Sequence, residues 1–284
     1  MIIFTPKLRT LCMATTAFLM GTSATVATAS EPCGDFGECK ALIEINSSDG
    51  DIGFHFLMDG DGLNSASIHD PDGNKVFQDQ AKGPLKEQKL TETFVESAEP
   101  LCWESPDAEE DDEIVTLEEF LDRWAEGTYL FNGSGDDGEK SQGETELTYE
   151  LPAAPANLEF DGMGITWTPG DDLGNCADFG HLVNLVSDGV LPVHPVDVLV
   201  DEWEVVMEPD LEDDDPLGSL KFSIRVAGDT PVMAMTVPPE FLGLFDENTP
   251  GKIEIGALGG EDNATFTEIP VCINETGDGC EEED

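Results

Sequence analysis

Short runs of alternating apolar and polar residues recur along most of the chain. Such period-two alternation marks strands with one face buried. Residues 41–45 and 52–57 are two such runs, separated by a turn at Ser48-Asp49-Gly50. Residues 65–69 and 75–78 flank Asp70-Pro71-Asp72-Gly73, a sequence suited to a tight turn. Residues 91–96, 128–132 and 144–149 continue the strand series. One segment changes period. Leu117, Phe120, Leu121 and Trp124 fall at i, i+3, i+4 and i+7, on one face of a helix. Thr116 caps it, Glu119 completes a capping box, and Gly127 ends it. Its apolar face is expected to pack on a sheet rather than on a partner.

Leu151-Pro152-Ala153-Ala154-Pro155 is the clearest break, because proline removes ladder donors and stiffens the chain. The fold class expected is mainly β. An N-terminal β domain with one short helix covers residues 30–150, a second β domain covers 151–275, and an acidic tail covers 276–284. In the second part, Pro155-Ala-Asn-Leu158 and Ile165-Thr-Trp167-Thr-Pro169 resemble strands A and B of a fibronectin type III domain. Trp203-Glu-Val205-Val-Met207 is similar to strand C. Phe222-Ser-Ile224-Arg-Val226 and the Ala234 to Leu242 segment resemble the strands and turn that follow. Lys252-Ile253-Glu-Ile255-Gly-Ala257 resembles strand F, and residues 265–272 would form strand G. The resemblance implies a β-sandwich with Trp167 in its core. Two features depart from it: Gly251 stands where the family usually has a tyrosine, and the segment 170–201 between strands B and C is long. The mature chain also resembles a group of secreted bacterial proteins. There a β domain with a Gly-Thr-Tyr strand, here Gly127-Thr128-Tyr129, precedes a fibronectin-like domain, and Val237-Pro238-Pro239-Glu240-Phe241-Leu242 is the best marker. This likeness implies architecture and no activity.

The first 29 residues read as an export signal. Lys7 and Arg9 form a basic head, an apolar stretch follows, and Ala27-Thr28-Ala29 is a small-x-small cleavage site before Ser30. The apolar stretch is too short and too diluted to span a membrane. A secreted or periplasmic protein without membrane insertion is expected. Removing Cys12 with the signal leaves Cys33, Cys39, Cys102, Cys176, Cys272 and Cys280. An even count outside the cytoplasm favours disulfides, though spacing alone leaves 15 connectivities open. The expected pairs are Cys33–Cys39, Cys102–Cys176 and Cys272–Cys280. A metal site of Cys176, His181 and His194 is the competing use of the middle cysteine.

Charge narrows the partners. The chain has 62 Asp and Glu against 12 Lys and Arg, a net charge of -50. Nucleic acid and anionic membrane surfaces are poor partners, because a polyanion releases no counterions by binding another polyanion, and neither nucleic-acid binding nor membrane insertion is expected. Cations are expected partners, with weak calcium binding as one form. Asp59-Gly60-Asp61-Gly62-Leu63-Asn64 resembles the start of a calcium loop with Asp70 at its twelfth position, but Leu63 stands where an oxygen ligand is needed and Asp70 where a Glu is usual. Catalytic residues are not legible: no GxSxG, HExxH, P-loop or GxGxxG pattern occurs, and among so many carboxylates close pairs arise by chance. The sequence therefore points to a non-enzymatic acidic β protein acting in interaction, adhesion or scaffolding. Its partner would be an unidentified protein or carbohydrate. The rival reading is a metal-dependent or carboxylate-based extracellular hydrolase.

Overall fold

The computed structural model describes residues 33–103, 114–176, 179–211, 215–277 and 279–280. The expected export signal, the acidic run at 107–113 and parts of the acidic stretches at 210–215 and 278–284 lie outside the described residues. The fold is mainly β. The first half forms β1 (Glu38–Asn46), β2 (Asp51–Leu63), β3 (Ser65–His69), β4 (Lys75–Gln80) and β5 (Leu90–Glu96), with alternating burial clearest in β1 and β3. A short helix, α1 (Pro84–Gln88), lies between β4 and β5. Then come α2 (Leu117–Arg123), β6 (Gly127–Ser134) and β7 (Lys140–Leu147). The second half supplies β8 (Ala156–Phe160), β9 (Gly164–Thr168), α3 (Phe179–Asp188), β10 (Val200–Pro209), β11 (Phe222–Ala227), β12 (Ala234–Thr236), α4 (Pro239–Leu242), β13 (Thr249–Gly259) and β14 (Asn263–Ile273).

The helix expected at 117–124 forms as α2. Glu119 donates its backbone N–H to Thr116 Oγ1 at 3.3 Å, and Leu117, Phe120 and Leu121 are buried. Trp124 closes the helix and stacks on Phe54 with ring centroids 3.9 Å apart. Further helices accompany it: α1 precedes α2 in the N-terminal part, and α3 crosses the long segment at 170–201. The turn at Asp70 is held by Gly73 N–H to Asp70 O at 2.9 Å and by Asn74 N–H to the Asp70 side chain at 2.7 Å.

Among the described residues three sheets form. The largest has the order β11-β10-β13-β14-β1-β2-β5 and draws strands from both halves of the chain. The join is β1 against β14, a parallel pairing at Glu44↔Ala264, Ile45↔Thr265 and Asn46↔Phe266. The other strand pairs of this sheet are antiparallel. The sheet β4-β3-β6-β7 packs on the β1-β2 side, and the sheet β12-β9-β8 faces β10 and β13.

Two apolar clusters lie beneath the large sheet. One gathers Ile43, Ile45, Phe54, Phe56, Tyr129 and Phe131 with α2. The other gathers Ile165, Trp167, Trp203, Val205, Ile253 and Ile255. Trp167 is buried, with its ring centroid 6.2 Å from that of Trp203. Leu173, Cys176, Leu182, Leu185 and Leu191 come from the long segment at 170–201 yet belong to the first cluster. That segment is therefore a packed strap on the first core rather than a free loop. Gly251 has a steric reason: a Cβ there would lie 2.8 Å from Ile273 Cδ1 and 2.9 Å from the Glu208 carbonyl. A tyrosine at this position has no room.

Asn263 ties the halves together and is fully buried at the start of β14. Its Oδ1 accepts from Ile43 N–H at 2.9 Å. Its Nδ2 donates to the carbonyls of Thr148, Glu150 and Gly260 at 2.9, 3.1 and 3.0 Å. One side chain thus satisfies backbone groups of β1, the strap after β7 and the β13–β14 turn, which matters because buried backbone groups must find partners.

Candidate metal-binding site on the outer sheet face

Alternation along β2 sends Phe54 and Phe56 into the core and His55 to the other face of the sheet. Register then decides the neighbours of His55. Leu42 of β1 and Glu96 of β5 lie in its row, and Glu44 lies opposite Gly53 in the next outward row. Beyond β5 the chain stays beside β2: Phe54 N–H donates to Ser97 Oγ at 2.9 Å, and Ile52 N–H donates to Pro100 O at 3.2 Å. This strap places Glu99 over Gly53. A Cβ on Gly53 would lie 2.8 Å from Glu99 Oε1 and 3.2 Å from His55 Nε2, so the missing side chain makes the space that Glu99 occupies.

The imidazole therefore has carboxylates at both ends. His55 Nδ1 lies 3.6 Å from Glu44 Oε2. His55 Nε2 lies 3.6 Å from Glu99 Oε1 and 3.9 Å from Glu96 Oε1. The His55 side chain is 8% exposed, and Nε2 is buried with no hydrogen-bond partner. Phe94 covers the ring edge-on, with centroids 5.6 Å apart. Ligating atoms of Glu44, His55 and Glu99 all lie within 4.8 Å of one another. Burial raises the Glu44 carboxyl to about 8, and the nearby charges of Glu99, Glu254, Glu96 and Glu204 push in the same direction.

Glu44, His55 and Glu96 line an open groove of about 510 Å³ across the large sheet, bounded by Phe94 and Glu96 on one side and by Glu204 and Arg225 on the other, with Glu99 outside its lining. A larger groove of about 750 Å³ runs between β8–β9 and β14. Its carboxylates, Glu159, Asp161 and Glu275, are exposed, and no histidine lines it, so the chemistry lies in the smaller groove.

The residues singled out from the sequence fall elsewhere. Cys33 is bonded to Cys39, Cys102 to Cys176, and Cys272 to Cys280, with Cα–Cα separations of 5.7, 4.9 and 5.6 Å. Cys176 is thereby removed from a metal site with His194, whose Nδ1 accepts from Val196 N–H; the His181 side chain lies outside the described residues. The Asp59 to Asp70 segment is strand and hairpin, as its failed match to a calcium loop suggested. Residues 59–63 are the end of β2 and 65–69 are β3, and both Asp70 oxygens bond Asn74. His69 is near Asn132 Nδ2 at 3.3 Å. His55 itself reads as an apolar strand position in the sequence. The alternation Gly53-Phe54-His55-Phe56 was signal enough to turn it outward, but nothing local names its carboxylate neighbours.

No protein-family model matches this chain, and no curated protein matches it. Solved structures do. The chain is similar to the BSP domain of a biofilm-associated protein at 11% identity and a TM-score of 0.22, over 85% of this chain and 30% of that one. It is similar also to a structure of a 1.5-MDa bacterial ice-binding adhesin concerned with host cell surface retention, at 8% identity and a TM-score of 0.24, over 87% of this chain and 66% of that one. The chain spans less than a third of the first structure and just under two thirds of the second.

Proposed function

We propose that this is a secreted or periplasmic, non-enzymatic interaction protein that acts in adhesion or scaffolding through the outer face of its seven-stranded sheet. The groove across that face carries the reading. Strands from both halves of the chain line it, so a partner meets one rigid surface built on two apolar clusters. Phe94 is 57% exposed there, and carboxylates outnumber the basic Lys40 and Arg225. A protein partner with a basic surface is the complement of such a face. Three bridged cysteine pairs support a compartment outside the cytoplasm. Among the described residues no helix is long and apolar enough to cross a membrane. The fibronectin-like reading of the second half draws support from the pairing of β10, β13 and β14 in one sheet with β8 and β9 in another, as strands C, F, G and A, B would require.

The test is capture from envelope fractions of the producing cell on immobilised mature protein, at low and high salt. Salt-sensitive capture that is lost in Phe94→Asp is expected. Capture that is the same for wild type and Phe94→Asp would sink this use of the face. The rival hydrolase reading draws on the convergence of Glu44, His55 and Glu99. It would displace the interaction reading if ester or glycoside turnover appeared in wild type and vanished in Glu99→Gln.

A further inference from the structure

We infer that the outer face holds one divalent transition metal of the zinc class on His55 Nε2, with Glu99 and Glu96 as oxygen ligands and Glu44 holding the opposite ring nitrogen. Side-chain geometry supports this site independently of the interaction reading. The first support is the orphaned nitrogen. A buried imidazole nitrogen without a partner costs free energy, and here it is aimed between two carboxylates. Zinc takes imidazole nitrogen and carboxylate oxygen at about 2.0–2.2 Å, so tetrahedral ligand atoms stand roughly 3.4 Å apart. The 3.6 Å separation from Nε2 to Glu99 is close to that spacing; Glu96, 3.9 Å from Nε2 but outside the set of Glu44, His55 and Glu99 whose ligand atoms converge, has to swing toward Glu99 to complete the site.

The second support is the arrangement around the ring. A metal-bound histidine usually gives its other N–H to a carboxylate, which fixes its tautomer and orientation. Glu44 lies at the Nδ1 end for that role. Gly53 leaves the space in which Glu99 sits, and Phe94 shields the ring from water on one edge. The third support concerns selectivity. Calcium and magnesium prefer all-oxygen sites, whereas imidazole suits zinc and its first-row neighbours. A histidine at the centre therefore separates this site from the diffuse cation binding that the acidic surface produces everywhere else.

The test uses the chelator-treated mature protein, titrated calorimetrically with zinc chloride and followed with cobalt(II) absorption. Wild type should bind one equivalent of zinc in a tight phase, distinct from later weak binding, and cobalt should give a d–d spectrum of low coordination number. Glu99→Gln should weaken the tight phase at least tenfold, and Glu44→Gln roughly ten- to a hundredfold, the usual effect of removing an outer-shell partner. Gly53→Ala should weaken it similarly while changing no ligand's identity, because the new methyl crowds the Glu99 carboxylate and His55 Nε2. His55→Asn should abolish it. Since His55 is buried and that variant can misfold, Glu99→Gln and Gly53→Ala are the deciding variants, with circular dichroism confirming their folds. Calcium at the same concentrations should show only the weak, multi-equivalent binding. The metal site is refuted if wild type lacks a one-equivalent phase, or if that phase survives unchanged in both variants.

Discussion

The bridge between Cys102 and Cys176 should be the largest single covalent contribution to stability. It joins the strap after β5 to the start of the segment that carries α3, across a sequence separation of 74 residues. Both cysteines are buried, at 4% and 3% exposure, and the segment beyond Cys176 sends Leu182, Leu185 and Leu191 into the first core. In the chain-entropy description, closing a loop of that length removes about 15 cal/mol/K from the unfolded ensemble, or about 4.4 kcal/mol at 25 °C. The other bridges span 6 and 8 residues. The same relation assigns them only about 2.2 and 2.5 kcal/mol. Replacing Cys102 and Cys176 together by alanine should therefore cost about 4 kcal/mol in urea unfolding at pH 7. Replacing Cys33 and Cys39 together should cost about half as much. The buried sulfurs also leave small cavities in the first case, which acts in the same direction. Thiol titration of the untreated protein checks the premise. If the Cys102→Ala, Cys176→Ala protein lost no more stability than the Cys33→Ala, Cys39→Ala protein, the long strap would be held by something other than loop closure.

Asn263→Ala should destabilise the fold by about 3 kcal/mol or more, since it strips partners from buried backbone groups in three segments at once; a melting temperature within a degree of wild type would contradict this. Trp167→Ala should cost about 3–5 kcal/mol by chemical denaturation, the usual range for deleting a large buried aromatic. Asp51 adds a pH signature. Burial, with the charges of Glu99 and Asp49, raises its carboxyl to about 6. A raised carboxyl binds protons more tightly when folded, so its contribution is present below the unfolded value near 4 and is lost as pH rises through about 6. Lowering pH from 7.5 to 5 should recover about 1 kcal/mol by this route. Asp51→Asn should flatten that part of the profile, and an unchanged slope would remove Asp51 as its source.

What the sequence determined by itself is local. Alternation set which residues of β1 and β2 face inward, and the realised burial of β1 follows it residue by residue. The Thr116–Glu119 capping box with its apolar stripe specified α2, because a cap and a 3.6-residue period act within one segment. Turn chemistry at Asp70 likewise needs only neighbours along the chain. What only the tertiary structure decided depends on register between distant segments. The parallel join of β1 to β14 makes one sheet of the two halves, yet nothing in either strand names the other. Asn263 looks like a turn residue in Glu261-Asp262-Asn263 until β1 and the strap after β7 arrive beside it. The strap carrying α3 shows apolar residues at Leu182, Val186 and Val190, but the core they serve lies more than 100 residues earlier in the chain, around Phe54 and Ile43. The His55 cluster is of the same kind. With 62 carboxylates in the chain, composition guaranteed negative neighbours. The pairing of β2 with β1 and β5, and the gap left by Gly53, chose Glu44, Glu96 and Glu99 from among them. Periodicity tells a side chain which face to take, and strand register tells it whom it meets there.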